Sequence, residues 1–92
     1  MPLFAIVAHD RSDAGTLRAD TRARHLPHLE AIVDRIVVAG PMVGESGFPT
    51  GSIIIADFPD LDAAKAFADA DPYAQAGLFG SVAVTAYRQV LP

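Results

Sequence analysis

The side chains of this sequence best suited to moving protons near neutral pH are three histidines, His9, His25 and His28. An imidazole ordinarily titrates between roughly pH 5 and 8, so it can accept and return a proton without extreme activation. There is no cysteine, which removes thiolate nucleophiles, disulfides and thiolate zinc sites from consideration. Each histidine also has a structural reading. His25 stands just ahead of Pro27, where a helix can start, and could be a partly exposed capping residue. At such a start the positive end of the helix dipole would disfavour an imidazolium. His9 closes an apolar run and could face either a cleft, as a pocket residue, or an interface. His28 follows His25 by three residues, so on a helix the two could share one face. With His9 they would make a three-imidazole metal site, but no His-Glu-x-x-His pattern supports it, and no metal is expected.

Other polar groups have two readings each. Asp71 precedes Pro72, the pairing of an N-cap with a first helical position. A carboxylate has several acceptor sites, so capping would not exhaust it. Arg22 could hold an anionic substrate through a bidentate contact or lie solvated on a helix. Ser52, after Gly51, could donate to a ligand or simply open a strand. Gly40-Pro41 turns or ends a strand, while the glycine would let a ligand approach the backbone and Pro41 could line a cleft wall. Tyr73 and Phe79 read as packing residues of a short helix and its exit, and either ring could face an aromatic substrate. No Gly-x-Gly-x-x-Gly or Walker pattern occurs, and Gly44-Glu45-Ser46-Gly47 lacks a phosphate-binding context. No nucleotide, flavin or other cofactor is expected.

The elements that must position these residues read β-α-β-β-α-β. Residues 3–8 form a short apolar strand ending at His9-Asp10. A helical stretch follows over residues 14–35, with Pro27 inside it. Proline is tolerated in a first turn and not in a helix interior, which predicts two pieces, 14–22 and 25–35. In the second piece Leu26, Leu29, Val33 and Ile36 would make one apolar stripe. Residues 36–39 are the second strand, 42–51 a hairpin loop, and 52–58 the third strand. Pro59 stops that strand, and Asp60 is a natural N-cap for a helix over 61–70 with Leu61, Ala64, Phe67 and Ala68 on its apolar face. Pro72 starts one further turn to Ala76, ended by Gly77. Residues 82–90 alternate as the last strand.

Ninety-two residues, 51% of them hydrophobic, suit a single domain over 1–92. A chain this short buries only about 60–65% of the surface it exposes unfolded, so association would help it. Eleven acids against seven bases, with Lys65 the sole lysine, match a phosphate backbone poorly, and no nucleic-acid partner is expected. The apolar runs fall far short of the ~20 residues of a membrane span, and no basic segment precedes the first strand. Neither a membrane partner nor a secretory signal is expected, and a chain without cysteine suits the cytoplasm. The element order gives a four-stranded antiparallel sheet with both helices on one face, a ferredoxin-like α+β fold. The first strand is apolar on both sides: Phe4, Ile6 and Ala8 on one, Leu3, Ala5 and Val7 on the other. Two helices cover one face, and a second copy of the sheet is the simplest cover for the other. A homodimer is therefore expected as the minimum assembly.

Several short pieces stand in a telling order: Arg22-Ala23-Arg24-His25-Leu26, Ala39-Gly40-Pro41, Gly51-Ser52, and above all Ala68-Asp69-Ala70-Asp71-Pro72-Tyr73 with Gly77 after it. Together they resemble the YciI-like proteins of the dimeric α+β barrel class, and the resemblance covers nearly the whole chain. It implies two ferredoxin-like protomers packed sheet to sheet, with a cleft in each. It also implies a His–Asp pair as the active site, at positions matching His25 and Asp71. Some relatives remove chloride from small hydroquinone-like aromatics, and most have no assigned reaction. A carboxylate beside an imidazole would fix one tautomer and stabilise the imidazolium, enough to take a proton from an activated carbon or a phenol. The expectation is a small cofactor-independent enzyme (isomerase, lyase or dehydrochlorinase-like) acting on a small cyclic or aromatic substrate. A non-catalytic ligand-binding or accessory dimeric module using the same pocket is the alternative. Against the family pattern the loop over 42–50 looks short, and His28 has no counterpart.

Overall fold

Secondary structure in the computed structural model, which describes residues 2–92, follows the order β1 (Leu3–Asp10), α1 (Leu17–Glu30), a 3-10 turn (Val33–Arg35), β2 (Ile36–Val43), β3 (Pro49–Asp57), α2 (Leu61–Ala70), α3 (Pro72–Gln75) and β4 (Phe79–Tyr87). The sheet runs β2-β3-β1-β4, and every neighbouring pair is antiparallel. β1 and β2 are thus separated by β3, and β3 and β4 by β1. This is the split βαβ arrangement of a ferredoxin-like α+β fold.

Period-two alternation sorts the central strands cleanly. Phe4, Ile6 and Ala8 of β1 pair with Ala56, Ile54 and Ser52 of β3, and all six are buried. Ile32, Phe58, Ala64 and Ala68 complete the core, with Leu29 and Phe67 packed against it. The alanines matter here: Ala56 and Ala64 are fully buried, so α2 can lie close to the sheet. The opposite face carries Leu3, Ala5, Val7, Ile53 and Ile55, only half-buried in the single chain, and neither long helix covers it.

α2 follows its local signals. Asp60 accepts the Ala63 N–H at 2.8 Å as the N-cap, and Asp71 stops the helix before proline. Gly77, at φ 80, ends α3 in a left-handed conformation that suits glycine.

Several expectations fail, among them the start of β3, which begins at Pro49 rather than at residue 52, and the placing of Leu61 on the apolar face of α2, where it stands exposed. α1 is one helix running through Pro27, not two pieces. Pro27 lies in its last turn, so only the bond to Ala23 is lost. Ala31 still donates to the Pro27 carbonyl at 3.1 Å, and side-chain ties on both sides of the proline hold the helix in place. Because that helix ends at Glu30, Val33 leaves the expected apolar stripe and is 61% exposed, while Ile32 turns inward. β2 continues through Gly40-Pro41 to Val43 because it is an edge strand, where a missing N–H breaks no ladder bond. β4 begins three residues earlier than the alternation suggested, set by pairing of Phe79 with Asp10, and residues 88–92 lie outside it.

Candidate active site

One face of α1 departs from the usual amphipathic rule. Arg18, Arg22, His25 and Leu29 recur at spacings of four, three and four, which places them on a single helical stripe facing the sheet. Such a stripe is ordinarily apolar. Here its N-terminal half is charged, and between it, β2, β3 and α3 lies a cavity of about 560 Å³. That volume is in the range of small-molecule sites. Leu26, Leu29, Pro41 and Ile54 supply apolar wall, and Phe48 and Pro49 reach it from the β2–β3 turn.

His25 and Asp71 meet at this wall. His25 Nδ1 lies 2.8 Å from Asp71 Oδ1, with the residues 7% and 4% exposed. An ionised carboxylate only accepts, so Nδ1–H donates to it, and the neutral ring keeps its lone pair on Nε2. The same Asp71 oxygen accepts the Tyr73 backbone N–H at 2.9 Å. Capping α3 and orienting His25 are therefore one structural act, performed by one oxygen. The Tyr73 ring stacks on the imidazole, centroids 3.9 Å apart and planes 17° apart, and Phe79 buttresses Tyr73 edge-on at 6.0 Å.

The Arg18 guanidinium lies 4.7 Å from the Tyr73 centroid. His25 already covers one face of that ring, so Arg18 occupies the other. Arg18 Nε and Nη2 each donate to Asp10 at 2.8 Å, and Nη2 also donates to Ser52 Oγ at 3.0 Å. The Asp10 hydrogen bonds hold the guanidinium above its ordinary range, against the opposing effect of burial. Burial pushes the Tyr73 phenol above its usual value, partly offset by the charges of Arg18 and Arg22.

Of the residues singled out from sequence, Arg22, His25, Pro41, Ser52 and Tyr73 line the cavity, and Asp71 sits directly behind His25. His9 does not join them. It follows Ala8 with opposite parity, so it stands exposed beyond the uncovered sheet face, opposite Gly51 and Ser81. Phe79 does not line the cavity either and acts through Tyr73. His28 turns away to α2, where Nε2–H donates to the Phe67 carbonyl at 2.9 Å and its ring stacks on Phe67 at 4.0 Å. The three imidazoles therefore do not converge, and among the described residues no group of three His, Asp or Glu side chains is placed to hold a metal ion. His25 lies mid-helix rather than at a helix start, so the N-terminal dipole does not govern it. Arg18 and Asp10 escaped the sequence reading. The signal was present in the Arg18–Arg22–His25–Leu29 spacing, but dividing the helix hid it.

Comparisons with known proteins agree with this architecture. A model of the YCII-related domain matches residues 2–88. The chain is 41% identical to Protein YciI of Escherichia coli O6:H1, across 96% of this chain and 98% of that protein. It is 35% identical to an uncharacterized protein of Haemophilus influenzae, across 95% and 97%. Among solved structures it superposes with a TM-score of 0.87 on the 5-chloro-2-hydroxyhydroquinone dehydrochlorinase TftG of Burkholderia phenoliruptrix AC1100, determined in complex with 2,5-dihydroxybenzoquinone. That pair shares 33% identity across 94% and 93% of the two chains. Rv0793 of Mycobacterium tuberculosis, at 20% identity and a TM-score of 0.54, shares the fold alone. With its βαββαβ order, its antiparallel sheet and a family match over nearly its full length, this chain belongs to the YCII-related family.

Proposed function

We propose that this protein is a small enzyme that moves a proton on a cyclic or aromatic substrate. His25 Nε2 is the proton acceptor and donor, and Asp71 is its positioning partner. The observation that carries the reading is the buried 2.8 Å contact between His25 Nδ1 and Asp71 Oδ1 at the wall of a largely apolar cavity. The carboxylate fixes the tautomer that leaves Nε2 basic, and its charge offsets the imidazolium formed when Nε2 takes a proton. A proton taken from a ring carbon or a phenol can be returned at another atom, giving isomerisation. If the electron pair instead expels a leaving group, the outcome is elimination, and for a chlorinated ring the products are the dehydrochlorinated ring, chloride and a proton. Neither route calls for a redox group or a cofactor. Elimination is favoured by the likeness to a dehydrochlorinase with a quinone ligand. Tyr73, Ser52, Pro41 and Arg22 would contact the substrate.

Chloride release from chlorinated hydroquinones, followed with an ion-selective electrode, tests the reading. The wild type should turn over. His25→Ala should lose about 10²–10⁴-fold in rate while keeping its melting cooperativity. Turnover that survives in His25→Ala sinks the proposal.

The functional unit we infer is a homodimer closed through the uncovered sheet face. Leu3, Ala5, Val7, Ile53 and Ile55 there form an apolar surface, with Asp57 at its end beside Leu3. Light scattering should give twice the 9.7 kDa chain mass, and Val7→Lys should return it to one. A monomeric wild type overturns the inference.

A further inference from the structure

Arg18 is held more firmly than a wall residue needs to be. A guanidinium has five N–H donors. Nε and Nη2 are committed to Asp10 and Ser52, and the Tyr73 side chain can engage one further donor, which leaves at least one Nη1 hydrogen without a protein partner among the described residues. Arg18 lines the main cavity and also a smaller recess of about 290 Å³ beside Asp10, Ser12 and Thr50. Its plane is fixed on three sides, by the Asp10 carboxylate, the Ser52 hydroxyl and the Tyr73 ring. Such a group offers its remaining donors in a preset direction.

Charge sharpens the point. Asp10 offsets the Arg18 charge, whereas Arg22, one turn along α1, has no acidic partner within salt-bridge distance among the described residues. The cavity therefore carries an excess positive charge in mostly apolar walls, where screening by water is reduced. A wholly apolar ligand would desolvate the Nη1 donors without replacing their hydrogen bonds. An oxygen anion would satisfy them. Arg18 and His25 stand on opposite faces of Tyr73. A ligand serving both must carry polar groups at two separated edges of a small ring.

We propose that Arg18 is the specificity residue of this cavity: its Nη1 donors hold an ionised oxygen of a small planar ring, and Asp10 sets how strongly they do so. The ligand class is a hydroxyquinone or phenolate in its anionic form. This deepens the reading above only in taking the ligand to be a small ring, and it is tested by binding alone.

The experiment is calorimetric titration of the full chain at pH 7 with 2,5-dihydroxybenzoquinone, an acidic hydroxyquinone, against neutral hydroquinone. The anion should bind the wild type at least about tenfold more tightly, the scale of one charge-assisted hydrogen bond. Arg18→Lys keeps the charge and loses the fixed fork, so it should weaken the anion about tenfold and leave hydroquinone within about twofold. Asp10→Asn should tighten anion binding several-fold by releasing the guanidinium charge, a gain that a merely structural ion pair would not give. Should Arg18→Lys fail to fold, Asp10→Asn and Arg22→Gln decide, the second with an expected loss of about threefold to tenfold. Equal wild-type affinity for the two ligands, no detectable anion binding, or an unchanged or weakened anion in Asp10→Asn overturns the proposal. Failure of the acid–base reading is distinguished from this outcome because it is read from turnover of His25→Ala, whereas the Arg18 proposal is read from ligand affinity of the Arg18 and Asp10 variants.

Discussion

His25 and His28 lie one turn apart on α1, and each stacks on an aromatic ring from the next helical layer in nearly the same way. The imidazole of His25 is 3.9 Å and 17° from Tyr73, and that of His28 is 4.0 Å and 19° from Phe67. Each also ties one ring nitrogen to that layer, at 2.8 Å and 2.9 Å. They differ in the acceptor. His25 meets a carboxylate that can offset a positive imidazole, while His28 meets a neutral backbone carbonyl. They differ also in place: His25 lines the cavity and ties itself to Asp71 through Nδ1, whereas His28 spends Nε2 on the Phe67 carbonyl and lies outside the cavity wall. The two imidazoles differ in partner and position alone, since the residue type and the stacking are shared.

The sharpest way to break this contrast is to remove each ring in turn. Against the loss of about 10²–10⁴-fold expected for His25→Ala, His28→Ala should keep turnover within about threefold. It should instead lower stability by about 1–2 kcal/mol, from one hydrogen bond and one ring contact. Chloride assays and thermal melts of the two variants read this directly, and equal rate losses would erase the distinction.

A smaller effect separates the two duties of Asp71. Asn at this position still caps a helix, so Asp71→Asn should cost under about 1 kcal/mol of stability and yet slow turnover by about tenfold. Asp71→Ala loses both duties and should cost about 1–3 kcal/mol as well. A Asp71→Asn variant with wild-type rate would reduce the carboxylate to a cap.

The mildest test uses the rings beneath the histidines, since Tyr73 can ionise and Phe67 cannot. Burial raises the Tyr73 phenol above its ordinary value. Its folded form therefore resists ionisation more than the unfolded chain does. Stability is unaffected below about pH 10, the unfolded range, and is lost as pH rises through that range toward the folded value. Tyr73→Phe should flatten this alkaline decline in denaturant melts, and an unchanged decline would place its cause elsewhere.

Legibility from sequence varied with how local each decision was. The α2 boundaries and the Asp60 cap were readable because Pro59, Asp60 and Asp71-Pro72 act on their immediate neighbours. α1 was misread because the local penalty of Pro27 is outweighed by Asp71 and Phe67, which lie 46 and 39 residues from the histidines they hold. The position of Pro41 inside a strand depended on β2 being an edge, a property of the whole sheet. His9 was ambiguous because β1 is apolar on both sides, so its parity did not reveal which face the helices cover.

The order of elements, the two apolar faces of the sheet and the capping chemistry around Asp60 and Asp71 are all legible in the residues alone. These follow from side-chain periodicity and backbone preference over a few residues. It takes the folded chain to turn the capping oxygen of Asp71 toward His25, to spend His28 on a carbonyl, and to bring Arg18 back to Asp10 beside Tyr73. Each of those contacts joins separate segments of the chain, and each exists because packing brings α1 onto the sheet beside α2 and α3.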